Sequence, residues 1–138
     1  MATRIPKDYV PSDDEPFMNA RQREYFRRKL VTWKEDILRE ARATIQNLQT
    51  EPTPNADLAD RATTESERQL ELRTRDRQRK LVAKIDSALR RIENGEYGYC
   101  EVTGEPISLK RLDARPIATL GLEAQERHEK RERVYRDD

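Results

Sequence analysis

Apolar side chains recur every three or four positions at Phe26, Leu30, Trp33, Ile37, Ala41, Ile45 and Leu48, with Arg and Glu filling the intervening faces. That period gathers them into one stripe and predicts an amphipathic helix from about Met18–Asn19 to about Gln49. A second stripe, Leu58, Ala62, Leu70, Leu81, Ile85, Ala88 and Ile92, predicts a helix from about Asp57 to Asn94, with Gly95 where a left-handed helix stop belongs. Between the stripes stand Pro52 and Pro54, and a helix cannot run through them, because proline lacks the N–H and its ring clashes with the preceding turn. Asn55 and Asp57 are good N-caps, and Asp60 falls in or near the first turn, where a carboxylate suits the exposed N–H groups and the dipole. The expected fold is mostly α: a long antiparallel coiled-coil hairpin over residues 17–94, its tip at 52–62. Folding at the tip sets Ile45 near Ala62, Ile37 near Leu70 and Phe26 near Leu81. A parallel homodimer would leave both prolines in mid-rod, so the stripes are expected to pair within a monomer.

The flanks differ. Residues 1–16 carry Pro6, Pro11 and Pro16 without periodicity and read as a flexible leader. Residues 95–138 are turn-rich, with Thr103-Gly104 as a candidate hairpin turn and a helical pattern from about Leu120 to Tyr135, and are expected to form a small α+β zinc-ribbon-like knob with a C-terminal helix. In the second arm the stripe weakens between Leu70 and Leu81, where Arg68, Arg73, Arg75, Arg77, Arg79 and Lys80 crowd the chain. These basic residues read either as a solvated face supported by Glu71 and Asp76 or as a collar that docks on an acidic protein surface.

With 34% hydrophobic and 40% charged residues, the chain has little material for a compact core and suits long solvent-bathed helices. A net charge of +1 gives no global drive toward a polyanion, so direct DNA binding is not expected. One cysteine excludes an internal disulfide, and no stretch resembles a signal peptide or membrane span, which points to the cytoplasm. There is no Gly-rich phosphate loop and no nucleophile with a base, so the chain does not read as an enzyme.

Cys100 and Thr103 have two residues between them, Gly121 and Ala124 have two, and seventeen separate the pairs. That is the spacing of a four-ligand zinc site in which only Cys100 can bind the ion, so no zinc is expected. A buried inert thiol is the plainer reading of Cys100, a redox sensor the sharper one.

Three groups of residues then resemble one family: Asp57-x-x-Asp60-x-Ala62 at the tip, Leu70-Glu71-Leu72-Arg73-x-Arg75-Asp76-Arg77 in the second arm, and Gly98-Tyr99-Cys100 with Arg111-Leu112-x-Ala114-Arg115-Pro116 in the knob. Their order and separations resemble the TraR/DksA zinc-finger superfamily over about residues 17–130, in a reduced-cysteine branch. The resemblance implies a transcription regulator that binds bacterial RNA polymerase, not DNA. It would enter the secondary channel and destabilise promoter open complexes, often with the alarmone ppGpp in the stringent response. It assigns Asp57, Asp60 and Ala62 to the active-site-directed tip, Arg77 to polymerase docking, and Lys84 and Arg115 to a ppGpp pocket shared with the polymerase. The family commonly has a lysine where this chain has Gln125, a departure within the ppGpp assignment. A transcript-cleavage factor of the Gre type and a coiled-coil adaptor remain the competing readings.

Overall fold

The computed structural model describes residues 4–49 and 58–136, with side chains described for 4–46 and 61–134. Its helices are α1 (Ala20–Gln49), α2 (Leu58–Asn94), α3 (Leu109–Ala114) and α4 (Leu122–Arg136). The chain divides into two compact units, one made of Met1–Leu30 with Ser87–Asp138 and the other of Val31–Asp86.

Local chemistry sets the helix ends. Asn19 caps α1: its Oδ1 accepts the Gln22 N–H at 2.8 Å, while Gln22 Oε1 accepts the Met18 N–H at 2.8 Å. This reciprocal arrangement is a variant of the capping box, shifted so that the return bond reaches one residue before the cap. It holds Met18 at φ 54°, a left-handed conformation that costs a non-glycine residue about 1–2 kcal/mol. At the far end of α2 the chain stops as expected at Gly95, φ 76°. The Glu96 N–H reaches the Arg91 carbonyl at 2.8 Å and the Gly95 N–H the Ile92 carbonyl at 3.3 Å, which together form a Schellman stop.

In the Val31–Asp86 unit the two arms run antiparallel and are tied by Lys34 Nζ to Asp86 Oδ1 at 2.6 Å. Ile37 and Ile85 are buried, and Thr64, Glu71, Arg75, Gln78 and Val82, partly buried as Leu81 also is, continue the seam from Ile85. Their spacing of seven, four, three and four is a coiled-coil repeat. The expected seam differs here: Ala62 is exposed and Leu70 is 59% exposed, so neither lies under α1. A heptad anchored on Ile85 brings Gln78 and Glu71 inward, and Leu70, one residue from Glu71, is rotated about 100° away. The Lys34–Asp86 pair also sets the arms several turns away from the register obtained by folding symmetrically at the prolines.

The other unit holds most of the core. Phe26, Leu30, Ala88 and Ile92 of the long helices are buried, as are Tyr97, Cys100, Ile107, Leu109, Leu112, Ala118 and Ala124. Thr103-Gly104 is a turn, closed by Gly104 N–H to the Cys100 carbonyl at 2.9 Å and Cys100 N–H to the Glu105 carbonyl at 2.8 Å. The β part of the knob, among the described residues, is the single antiparallel bridge Tyr99–Pro106. Residues before α1 make specific contacts in the same unit. The Gln22 amide donates to the Ser12 carbonyl at 3.2 Å, Tyr9 donates to Glu15 at 2.9 Å, and Phe17 meets Tyr99 edge to face at 5.4 Å. Gly98, at φ 95°, admits this packing, since a Cβ there would lie 3.1 Å from Met18 Cε and Phe17 Cζ.

Glu24 gives the fold a pH dependence. It is 7% exposed and accepts Arg27 Nη2 at 2.6 Å and Arg28 Nε at 2.9 Å. The Arg27 hydrogen bond, with Arg28 behind it, lowers its pKa from 4.5 to about 2. A carboxylate with a depressed folded-state pKa contributes stability above its unfolded pKa and loses it as pH falls toward the folded one. Stability should therefore fall between about pH 4.5 and about 2. Because both arginines are nearly half exposed to solvent, the contribution is about 1–2 kcal/mol. In Glu24→Gln, urea midpoints measured across that range should lose part of their slope, and an unchanged slope would remove Glu24 as its source.

Candidate functional site

The residues singled out in the sequence fall at three places. At the tip, Asp57 lies outside the described residues; α2 begins at Leu58, which makes Asp60 its third residue, though its side chain is outside those described. Ala62 is exposed on the next turn.

Along the arm, Arg77 is exposed and borders a shallow concavity with Leu72, Arg73 and Asp76. Leu72 is 58% exposed, and Leu70 stands exposed nearby on the same helix. Asp76 is held by Lys80 at 3.2 Å. The weak stripe of this arm therefore has a cause: its leucines face solvent beside the arginines, and the seam beneath is polar. Lys84, exposed, belongs to this same Val31–Asp86 unit, whereas Arg115 belongs to the other.

In the knob, the four positions with zinc spacing are partly brought together. Cys100 Sγ receives hydrogen bonds from the backbone of Gly121, from the side chain and backbone of Thr103 and from the backbone of Val102, and these, Gly121 first, lower the thiol's pKa from 9.0 to about 7. A Cβ built on Gly121 would lie 3.9 Å from Cys100 Cβ. Ala124 is buried in the core. The donor set does not fit zinc: glycine and alanine offer no ligand atom, one thiolate is too few for a structural site, and His128 is engaged on exposed α4 with Glu132 at 3.1 Å. Among the described residues no group of three or more His, Cys, Asp or Glu is placed to hold a metal ion.

A cluster that the sequence did not reveal joins α1 to the end of α3. Lys29 Nζ donates to Asp113 Oδ1 at 2.6 Å and to the Asp113 carbonyl at 2.7 Å, and Tyr25 O–H donates to the same Oδ1 at 2.6 Å. Lys29, then Tyr25, lower the Asp113 pKa. Burial, then Asp113, push Tyr25 up to about 12. With Lys29 and Asp113 84 positions apart, no local spacing could have signalled the contact.

Comparison with known proteins identifies the lineage. Residues 22–92 match the family described as DnaK suppressor protein DksA, N-terminal domain, and residues 95–130 match the prokaryotic dksA/traR C4-type zinc finger. The chain belongs to the DksA family. It is 70% identical over 131 residues to a Caulobacter vibrioides protein named RNA polymerase-binding transcription factor DksA, covering 95% of this chain and 92% of that one. An Escherichia coli protein of the same name is 40% identical over 125 residues, 91% of this chain and 83% of that one. The solved structure of transcription factor DksA2 from Pseudomonas aeruginosa is 42% identical, with a TM-score of 0.78 over 87% of this chain and 95% of that one. The hairpin and knob are thus the family's fold. The family's finger is described as C4-type, whereas this chain has one cysteine in all, Cys100. Among the described residues, no helix is long and apolar enough to cross a membrane.

Proposed function

We propose that this chain is a transcription regulator that binds bacterial RNA polymerase directly, inserts its hairpin into the secondary channel and shortens the life of promoter open complexes. The observation that carries the reading is its 70% identity, over 95% of its length, to a protein named for RNA polymerase binding. In this reading Asp57, Asp60 and Ala62 act near the polymerase active site, where exclusion of water strengthens the effect of a carboxylate. Arg77 docks the arm, and the exposed Leu72 and Arg73 beside it give that contact an apolar and a basic component. Lys84 and Arg115 supply cations to ppGpp at the polymerase interface. The protein works as a cytoplasmic monomer without touching DNA and without catalysing a reaction itself.

The knob works without zinc. The Glu101 N–H donates to the Thr119 carbonyl at 2.9 Å, so a hydrogen bond ties the segment after Cys100 to the segment before Gly121, and the buried Tyr97 O–H, donating to the Pro116 carbonyl at 2.7 Å, and Arg111 Nε, donating to the Leu120 carbonyl at 2.9 Å, brace the rest of the knob. A strong chelator should leave the thermal midpoint within about 2 °C of its starting value; a fall of about 5 °C or more, reversed by zinc, would restore the metal.

The function itself is tested by the lifetime of competitor-resistant open complexes on a ribosomal RNA promoter, with purified polymerase and increasing protein, with and without ppGpp. Shortened lifetimes are expected. Unchanged lifetimes together with stimulated cleavage of backtracked RNA would instead make the chain a cleavage factor.

A further inference from the structure

Arg115 is exposed, and its guanidinium has no hydrogen-bond partner among the described residues, yet the backbone that carries it is held on both sides. Its own N–H closes on the Arg111 carbonyl at 2.8 Å, and its carbonyl accepts the Ala118 N–H at 3.0 Å. One residue on, Pro116 is buried and its carbonyl accepts the Tyr97 O–H at 2.7 Å. Two residues back, Asp113 is held through both its carboxylate and its carbonyl by Lys29, and through the carboxylate by Tyr25. Tyr25 is in turn fixed by edge contacts with Phe26 at 5.2 Å and Tyr9 at 6.1 Å, and Lys29 Nζ lies 5.8 Å from its ring centroid. A cation free to bond outward from a backbone held by hydrogen bonds on both sides is preorganised for an anionic ligand, because less ordering is left to do on binding.

We infer that Lys29 and Tyr25 are positioning residues for Arg115: by holding Asp113 they set where its guanidinium stands, and so set the sensitivity of the factor to ppGpp. This inference rests on the proposed role of Arg115 at ppGpp. Neither Lys29 nor Tyr25 needs to touch the alarmone. Lys29 does the larger share, since it bonds both the side chain and the main chain of Asp113, whereas Tyr25 bonds the carboxylate alone.

The test titrates ppGpp against open-complex lifetime with polymerase and saturating full-length protein, comparing wild type, Lys29→Met, Lys29→Arg, Tyr25→Phe and Arg115→Ala. Lys29→Met should raise the ppGpp concentration for half effect about fivefold and Tyr25→Phe about twofold, with Lys29→Arg recovering most of the loss, since it keeps a donor cation. A merely structural role would weaken the lifetime effect equally with and without ppGpp, leaving the half-effect concentration where it was. Tyr25→Phe removes one hydroxyl and keeps the ring, so it remains informative if Lys29→Met loses its thermal transition. The inference is overturned if Arg115→Ala raises the half-effect concentration while Lys29→Met and Tyr25→Phe match wild type. If Arg115→Ala itself responds normally to ppGpp, the ppGpp role of Arg115 fails, and the positioning role falls with it.

Discussion

Asp60→Asn should reduce the effect on open-complex lifetime about tenfold or more, while the thermal midpoint moves by no more than about 4 °C. The two effects separate because they draw on different properties of the side chain. At the start of a helix, a carboxylate near exposed N–H groups contributes about 0.3–1 kcal/mol, and asparagine keeps the shape and an acceptor oxygen while losing the charge. In a water-poor cavity beside catalytic machinery the charge itself is what acts, and removing one well-placed charge there costs far more than on an open surface. Circular dichroism and lifetime measurements on the same preparations decide the matter. Helix content lost in proportion to activity would show that Asp60 serves only the start of α2.

The hairpin was legible because its causes are local: two runs of period near 3.6, prolines between them, and Gly95 at the end of the second, which takes the left-handed conformation assigned to it. The Thr103-Gly104 turn was legible for the same reason. The seam of the distal arm was not. Leu70 and Leu72, the most apolar residues of their stretch, face solvent, and Glu71, Arg75 and Gln78 lie partly buried in their place. A reading that assigns leucine to the inside fails where the heptad register set by a buried anchor, here Ile85, turns the leucines outward. The contacts of the segment before α1 were not legible for a different reason: it has no period, and its residues are joined by single contacts such as Ser12 with Gln22 and Tyr9 with Glu15.

The polar seam has an energetic consequence for the arm. Ile37 and Ile85 are its buried aliphatic residues among those described, and nearer the tip α1 offers the partly buried Ala41 and Ile45 while α2 offers Thr64, Glu71, Arg75 and Gln78, with Glu71 Oε2 buried and without a hydrogen-bond partner. A buried carboxylate oxygen in that state costs free energy, whereas each buried leucine contributes about 1.5–3 kcal/mol. The segment is therefore less strongly held than a leucine-lined coiled coil of the same length. Leu72, next in the chain to Glu71, instead borders the concavity that carries Arg73 and Arg77.

Phe26→Ala should destabilise the unit formed by Met1–Leu30 and Ser87–Asp138 by about 3–5 kcal/mol. Phe26 is fully buried, its ring 5.2 Å from Tyr25 and 5.6 Å from Tyr97. Truncation removes the largest apolar side chain from the middle of that aromatic row, and Tyr97 is not free to fill the space, because its hydroxyl is committed to the Pro116 carbonyl. The cavity therefore persists, and its cost adds to the lost transfer free energy. The chain reports on the two units separately. Trp33 is its one tryptophan and belongs to Val31–Asp86, whereas Tyr9, Tyr25, Tyr97 and Tyr99 all lie in the other unit. In urea, the tyrosine near-ultraviolet signal of Phe26→Ala should be lost at a clearly lower concentration than in wild type, with a smaller displacement of Trp33 fluorescence. Equal displacement of both signals would mean that the units unfold as one, and a tyrosine midpoint within error of wild type would show that the pocket collapses around the missing ring.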